Sequence, residues 1–109
     1  MTVVRAVLVG AWMVGLVGAA HAQDVAAGAR VAERQCTGCH QIARAMNKAP
    51  GIAPSFVEIA NSRGMTETSI EVFLRTSHEG MPNFVLRDQS ITDVAAYIIS
   101  LRKPRTDAP

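Results

Sequence analysis

Cys36-Thr37-Gly38-Cys39-His40 decides how the rest of this chain is read. Side chains three apart share one face of a helical turn, so Cys36 and Cys39 point the same way and His40 follows them. Two thiols and an imidazole at this spacing suit covalent attachment of a haem. Each thiol forms a thioether with one vinyl group, and His40 turns its ring towards the iron. Other uses of a Cys-x-x-Cys pair require features this chain lacks. A thioredoxin-like redox site sits near a strand-helix-strand pattern, and no alternating apolar run here reads as a strand. A closed zinc site needs four ligands, and beyond the motif only His78 remains as a further Cys or His after the N-terminal segment. A lone disulfide across two residues would close almost no loop.

The N-terminus reads as an export signal. Arg5 provides a basic start, Ala6 to Ala20 is nearly unbroken apolar sequence, and Ala20-His21-Ala22 fits a small-x-small cleavage site. Cleavage leaves Gln23 first and gives two parts, a signal peptide over 1–22 and one domain over 23–109. A retained anchor is the minor alternative, because a span needs about 20 apolar residues and this run is shorter and broken by Gly10, Gly15 and Gly18. The expected location is the periplasm, where thiols oxidise unless otherwise used. Trp12 and Arg5 leave with the signal. Arg5 is its single charged residue, so the 11 Lys and Arg and 9 Asp and Glu of the whole chain are nearly balanced in the remainder. Nucleic acid, which calls for a strongly basic face, is excluded as a partner. A domain this small buries a modest core, and a bound porphyrin would add to it.

The pattern predicts an all-α domain with three main helices. Asp24 caps a helix running through Val25, Gly28, Val31 and Ala32 into Cys36. Thr68-Ser69-Ile70-Glu71 has the form of a capping box opening a second helix, with Ile70, Phe73, Leu74 and Ser77 at helical spacing, and Gly80 ends it. Ser90-Ile91-Thr92-Asp93 opens the third, with Ile91, Val94, Ala95 and Ile98 on one face and Pro104 beyond its end. Met46 to Met65, with Pro50, Gly51, Pro54 and Gly64, reads as loop with one short helical turn around Phe56 to Ala60. A loop of that length in a small domain needs something to wrap.

The chemistry of a haem depends on the iron face opposite its first ligand. Met46 follows His40 too closely to reach around a porphyrin and reads as core filler. Met65 precedes the second helix and reads as packing, with ligation a weaker alternative. Met81 lies in Gly80-Met81-Pro82, where the glycine releases the helix and the proline keeps the following segment extended. His78 is the competitor, since imidazole also binds iron, although a position in the last helical turn suits a solvent-facing histidine at a helix C-terminus. Met81 is favoured and His78 stays open.

In their order along the chain, Gly28, Cys36 to His40, Ala53-Pro54-Ser55-Phe56, Met81-Pro82 and Asp93-Val94-Ala95-Ala96-Tyr97-Ile98 resemble a class I c-type cytochrome of the short bacterial periplasmic monohaem type. The resemblance covers essentially all of Gln23 to Lys103. It implies the cytochrome c fold, three main helices plus loops wrapped around one covalent haem c, with the first and last helices crossing closely at Gly28 and Tyr97. It implies that Cys36 and Cys39 carry the haem, that the Pro54 carbonyl accepts from His40, and that His40 and Met81 are the iron ligands. The chain departs from the pattern at Ala32, where many members carry an aromatic residue, a gap that Val31 partly fills. The expected function is one-electron transfer, without catalytic residues, through transient docking to redox proteins and no stable membrane insertion. Two alternatives stand beside it: an electron-accepting subunit of a periplasmic dehydrogenase, and a bis-His or ligand-binding haem protein should Met81 not bind.

Overall fold

The computed structural model describes residues 22–43 and 52–104. The expected signal segment through His21, the stretch 44–51 with Met46, and the end of the chain from 105 lie outside the described residues. Four helices appear in chain order: α1 (Val25–Gln35), α2 (Phe56–Asn61), α3 (Glu67–Arg75) and α4 (Asp88–Ser100). Among the described residues there is no strand, in keeping with the all-α expectation, and no helix is long and apolar enough to cross a membrane.

α1 starts where its sequence predicts. The Asp24 backbone is extended and its carboxylate accepts from the Ala27 N–H at 2.9 Å, satisfying one of the amide groups that an α-helix leaves unpaired at its start. α2 is the short helix expected after Pro54. Ser55 accepts from the Glu58 N–H at 3.1 Å while the Glu58 carboxylate accepts from the Ser55 N–H at 2.7 Å, a reciprocal capping box.

The starts of α3 and α4 differ from expectation. α3 is capped by Thr66 rather than Thr68, and Ser69 answers as the third helical residue by accepting from the Thr66 N–H at 2.9 Å. The earlier start leaves Glu71 available for Arg75 one turn on, at 3.0 Å, instead of committing it to a cap. α3 ends at Arg75, so Ser77, His78 and Gly80 lie beyond it. α4 begins at Asp88, two residues before the expected Ser90, with Arg87 at the cap position and no side-chain capping bond. Asp93 does not cap the helix it belongs to. It is buried, and its Oδ1 accepts from the Asp24 N–H at 2.9 Å and from Gln89 Nε2 at 2.8 Å. A carboxylate that receives the amide at the head of α1 pins the two helices together.

α4 packs on α1, α3 and α2, and the tightest approach is at Gly28. A Cβ on Gly28 would stand 2.0 Å from the Asp93 carbonyl oxygen and 2.9 Å from Tyr97 Cβ. Only a residue without a side chain permits this crossing. Around it lie Val31, Ala32, Val94, Ala95 and Ile98, all buried. Ala32 is fully enclosed, so a small residue completes the contact at the position where the resemblance would place an aromatic. Tyr97 follows the crossing, donates its hydroxyl to the Ile42 carbonyl at 2.8 Å, and meets Phe56 edge-on at 6.3 Å between ring centroids. Desolvation, and secondarily the Glu33 carboxylate, hold its phenol above the ordinary value.

Beyond α4, Arg102 Nε donates to the Ala60 carbonyl at 2.9 Å and its guanidinium also reaches the Met65 carbonyl. This cation sits at the carbonyl end of α2, where it complements the helix dipole, and fastens α2 and its exit to α4. Nothing in the local sequence around Arg102 announces this role.

Two outcomes test this architecture. Gly28→Ala forces the crossing apart against backbone atoms rather than flexible side chains, so its unfolding free energy should fall by about 3 kcal/mol or more, as read by denaturant titration. Wild-type stability would place the α1–α4 approach elsewhere. The backbone and then the side-chain hydrogen bonds with Ser55 lower the Glu58 carboxyl from its ordinary 4.5. A carboxyl whose value is lower folded than unfolded stabilises the fold above its unfolded value and loses that contribution as pH falls through the folded one. Glu58→Gln should therefore flatten the decline of stability below pH 4.5, measured as denaturation midpoints across an acid series.

Candidate functional site

α1 hands the chain directly to the Cys-x-x-Cys-His motif. Cys36 is the C-cap of α1, its N–H bonded to the Ala32 carbonyl at 2.8 Å. The His40 N–H returns to the Cys36 carbonyl at 2.9 Å and the Cys39 N–H approaches it at 3.3 Å. Thr37 Oγ1 donates to the Glu33 carbonyl at 3.1 Å. The five residues thus form one further coil at the end of the helix, which satisfies carbonyls that a helix terminus would otherwise expose. Their positions follow from the placement of α1, and α1 is placed by Gly28.

His40 is oriented from its far side. Its Nδ1 lies 2.6 Å from the Pro54 carbonyl oxygen. A carbonyl can only accept, so Nδ1 carries the proton and the ring's lone pair sits on Nε2. Such a contact fixes tautomer and ring plane and raises the basicity of the metal-facing nitrogen. The Phe56 ring rests against the imidazole at 5.3 Å, and the Phe56 N–H bonds to the Gln41 carbonyl at 2.9 Å, so the segment after the motif and the start of α2 hold His40 between them.

Cys36 and His40 open onto a cavity of about 350 Å³ together with Pro54, His78 and Met81. Phe56, Ile59, Ile70, Leu74, Val94 and Ile98 form much of its wall, drawn from α2, α3 and α4. Cys39 is half-buried in the turn and does not line the cavity. Neither cysteine is in a disulfide. Burial pushes the Cys36 thiol up to about 11, the opposite of the lowered value that a thiol-exchange site needs. The wall is apolar and the volume falls within the range of cofactor sites. An apolar cavity with a neutral thiol and an oriented imidazole on its wall suits a haem.

Met81 and His78 are the two candidates for the second iron ligand, and the structure brings them together. His78 does not sit in a last helical turn facing solvent. It lies beyond the end of α3, half-buried, on the cavity wall. Its ring stands edge-on to Phe73 at 5.4 Å, and its Nε2 is 3.1 Å from Met81 Sδ. Met65 also lines the cavity, with its sulfur 3.3 Å from Ser69 Oγ at the start of α3. The gathering of α2, α3 and α4 residues into the wall escaped sequence reading except as generic apolar stripes.

Comparison with known proteins bears on this arrangement. The family profile described as "Cytochrome C oxidase, cbb3-type, subunit III" matches residues 23–98. A curated relative, cytochrome c-552 from Bradyrhizobium diazoefficiens, is 37% identical over 81 residues, covering 74% of this chain and 78% of the relative. No solved structure gives a significant match. The matched span runs from the residue before Asp24 to Ile98, taking in α1, the Cys-x-x-Cys-His turn, the cavity and nearly all of α4, and on that ground the chain belongs to the small c-type cytochromes of this family.

Proposed function

We propose that this chain is a periplasmic one-electron carrier. Cys36 and Cys39 would hold one haem covalently, and His40 and Met81 would be the ligands to its iron. The observation that carries this reading is the His40 Nδ1 contact to the Pro54 carbonyl at 2.6 Å, on the same cavity wall as Cys36 and Met81. An imidazole held this way aims a strong, fixed nitrogen into an apolar space. The haem, when bound, supplies the electron chemistry through the ferric and ferrous states of its iron.

The protein's own contributions are separable. Cys36 and Cys39 anchor the group. Pro54 and Phe56 orient His40, and the apolar wall excludes water and lowers the local dielectric. Met81 offers a thioether, which favours the reduced state and raises the potential relative to a second imidazole. No side chain has to exchange protons with a substrate, which suits a carrier rather than an enzyme. Export is supported by Arg5, the apolar run to Ala20 and Ala20-His21-Ala22, with Gln23 as the expected mature N-terminus. Partners are redox proteins met transiently. The near balance of acidic and basic residues predicts weak long-range steering.

A second reading has a specific observation behind it. The matching family profile describes a subunit of an oxidase, so the chain would pass electrons inside a larger oxidoreductase, of which a periplasmic dehydrogenase is another form. Purification from the native host under mild conditions separates the two. A free carrier elutes alone, whereas a subunit elutes with a catalytic chain.

The ferric protein should show a sulfur-to-iron charge-transfer band and a reversible one-electron couple. Met81→His should remove the band and lower the midpoint potential by on the order of 0.1 V, a fraction of the roughly 0.8 V that axial ligation spans. An unchanged band and potential in that variant would defeat the Met81 assignment.

A further inference from the structure

We propose that His78 and Met81 are two protein ligands for one axial position, with His78 taking the iron when the Met81 thioether is not on it. The inference rests on the reading that the haem is carried by Cys36, Cys39 and His40.

The first observation is convergence. His78 Nε2 and Met81 Sδ lie 3.1 Å apart on the wall of the cavity that His40 also lines. The second concerns the tautomer of His78. Its Nδ1 is 3.2 Å from the Thr76 carbonyl oxygen, an atom that can only accept. The tautomer protonated on Nδ1 donates to that carbonyl and leaves the Nε2 lone pair for iron. His40 is held in the same way, with Nδ1 on the Pro54 carbonyl. Both histidines thus show the support typical of metal-ligating imidazoles, the remote nitrogen donating to a backbone carbonyl. The edge-on Phe73 ring at 5.4 Å adds a second restraint on the His78 plane.

Nε2 and the thioether, each a base suited to iron, stand within hydrogen-bond distance of one another. Thr76 is the C-cap of α3, so the carbonyl that orients His78 is anchored to a helix. Met81 follows Gly80, whose φ of +82° is a conformation that glycine adopts without strain. A rotation there moves Met81 while His78 keeps its support from Thr76. The separation of the two ligand atoms is about one side-chain displacement, so exchange needs no unfolding of α3 or α4. Thioether and imidazole differ in softness, and replacing sulfur by nitrogen lowers the potential. The chain would therefore hold a high-potential and a low-potential form of one centre.

The test compares haem-loaded Met81→Ala with the double variant Met81→Ala/His78→Ala, each checked for parental helicity by circular dichroism. The optical and electron paramagnetic resonance spectra of Met81→Ala should be those of a six-coordinate, low-spin, bis-nitrogen ferric haem. The double variant should be high-spin. Added imidazole should bind Met81→Ala at least tenfold more weakly than the double variant, because His78 has to be displaced first. High-spin Met81→Ala that binds imidazole as tightly as the double variant overturns the shared-position proposal while leaving Met81 as the ligand. Retention of the parental sulfur-to-iron band in Met81→Ala overturns both the proposal and the Met81 reading.

Discussion

The approach of α1 to α4 at Gly28 is the contact on which the rest of the structure depends. A Cβ there would stand 2.0 Å from the Asp93 carbonyl oxygen, so the two backbones meet with no side chain between them. The same short stretch of α4 reinforces the crossing. The buried Asp93 carboxylate receives the Asp24 N–H at the head of α1, and Tyr97 sits over Gly28 and reaches the Ile42 carbonyl just past the Cys-x-x-Cys-His motif. α1 is therefore held at its start, near its middle and through the segment that follows it. Cys36 caps its far end, so the placement of the Cys-x-x-Cys-His turn is a consequence of helix packing rather than of loop conformation.

From that anchor the site is assembled by supports lying behind the groups that face the cavity. His40 and His78 are each aimed by a backbone carbonyl on Nδ1, and Phe56 ties the first to Tyr97 through successive ring contacts at 5.3 and 6.3 Å. The wall comes from α2, α3 and α4. Arg102 fastens the exit of α2 back to α4 through the Ala60 carbonyl. Burial that keeps the Cys36 thiol at about 11 marks the same low-dielectric space from the chemical side: a thiol that stays neutral there is poorly suited to thiol exchange and well suited to an apolar cofactor edge.

Sequence reading worked where the signal is local and failed where tertiary contacts decide. Asp24 has no competing cap nearby and α1 starts as expected, and the Cys-x-x-Cys-His spacing carries its own chemistry. Thr66, Thr68 and Ser69 offer overlapping caps within one turn, and the local pattern does not single out Thr66. Asp93 resembles a capping acid in sequence, but its carboxylate is occupied 69 residues away by Asp24. With Gly80 as the helix stop, His78 falls in a last helical turn, where a solvent-facing role competes with iron ligation. The helix ends at Arg75, and that shift turns His78 into a cavity residue. The contact at Pro54, implied by the family resemblance alone, is present at 2.6 Å.

The central claim is that the Cys36 to His40 turn holds a covalent haem over this cavity, and intact-mass spectrometry of the exported protein under denaturing conditions addresses it most directly. The account predicts a chain starting at Gln23 that carries the mass of one haem, retained after unfolding and lost in Cys36→Ser/Cys39→Ser. A chain of the bare polypeptide mass, with Cys36 and Cys39 joined as a disulfide or released from zinc by a chelator, would contradict it.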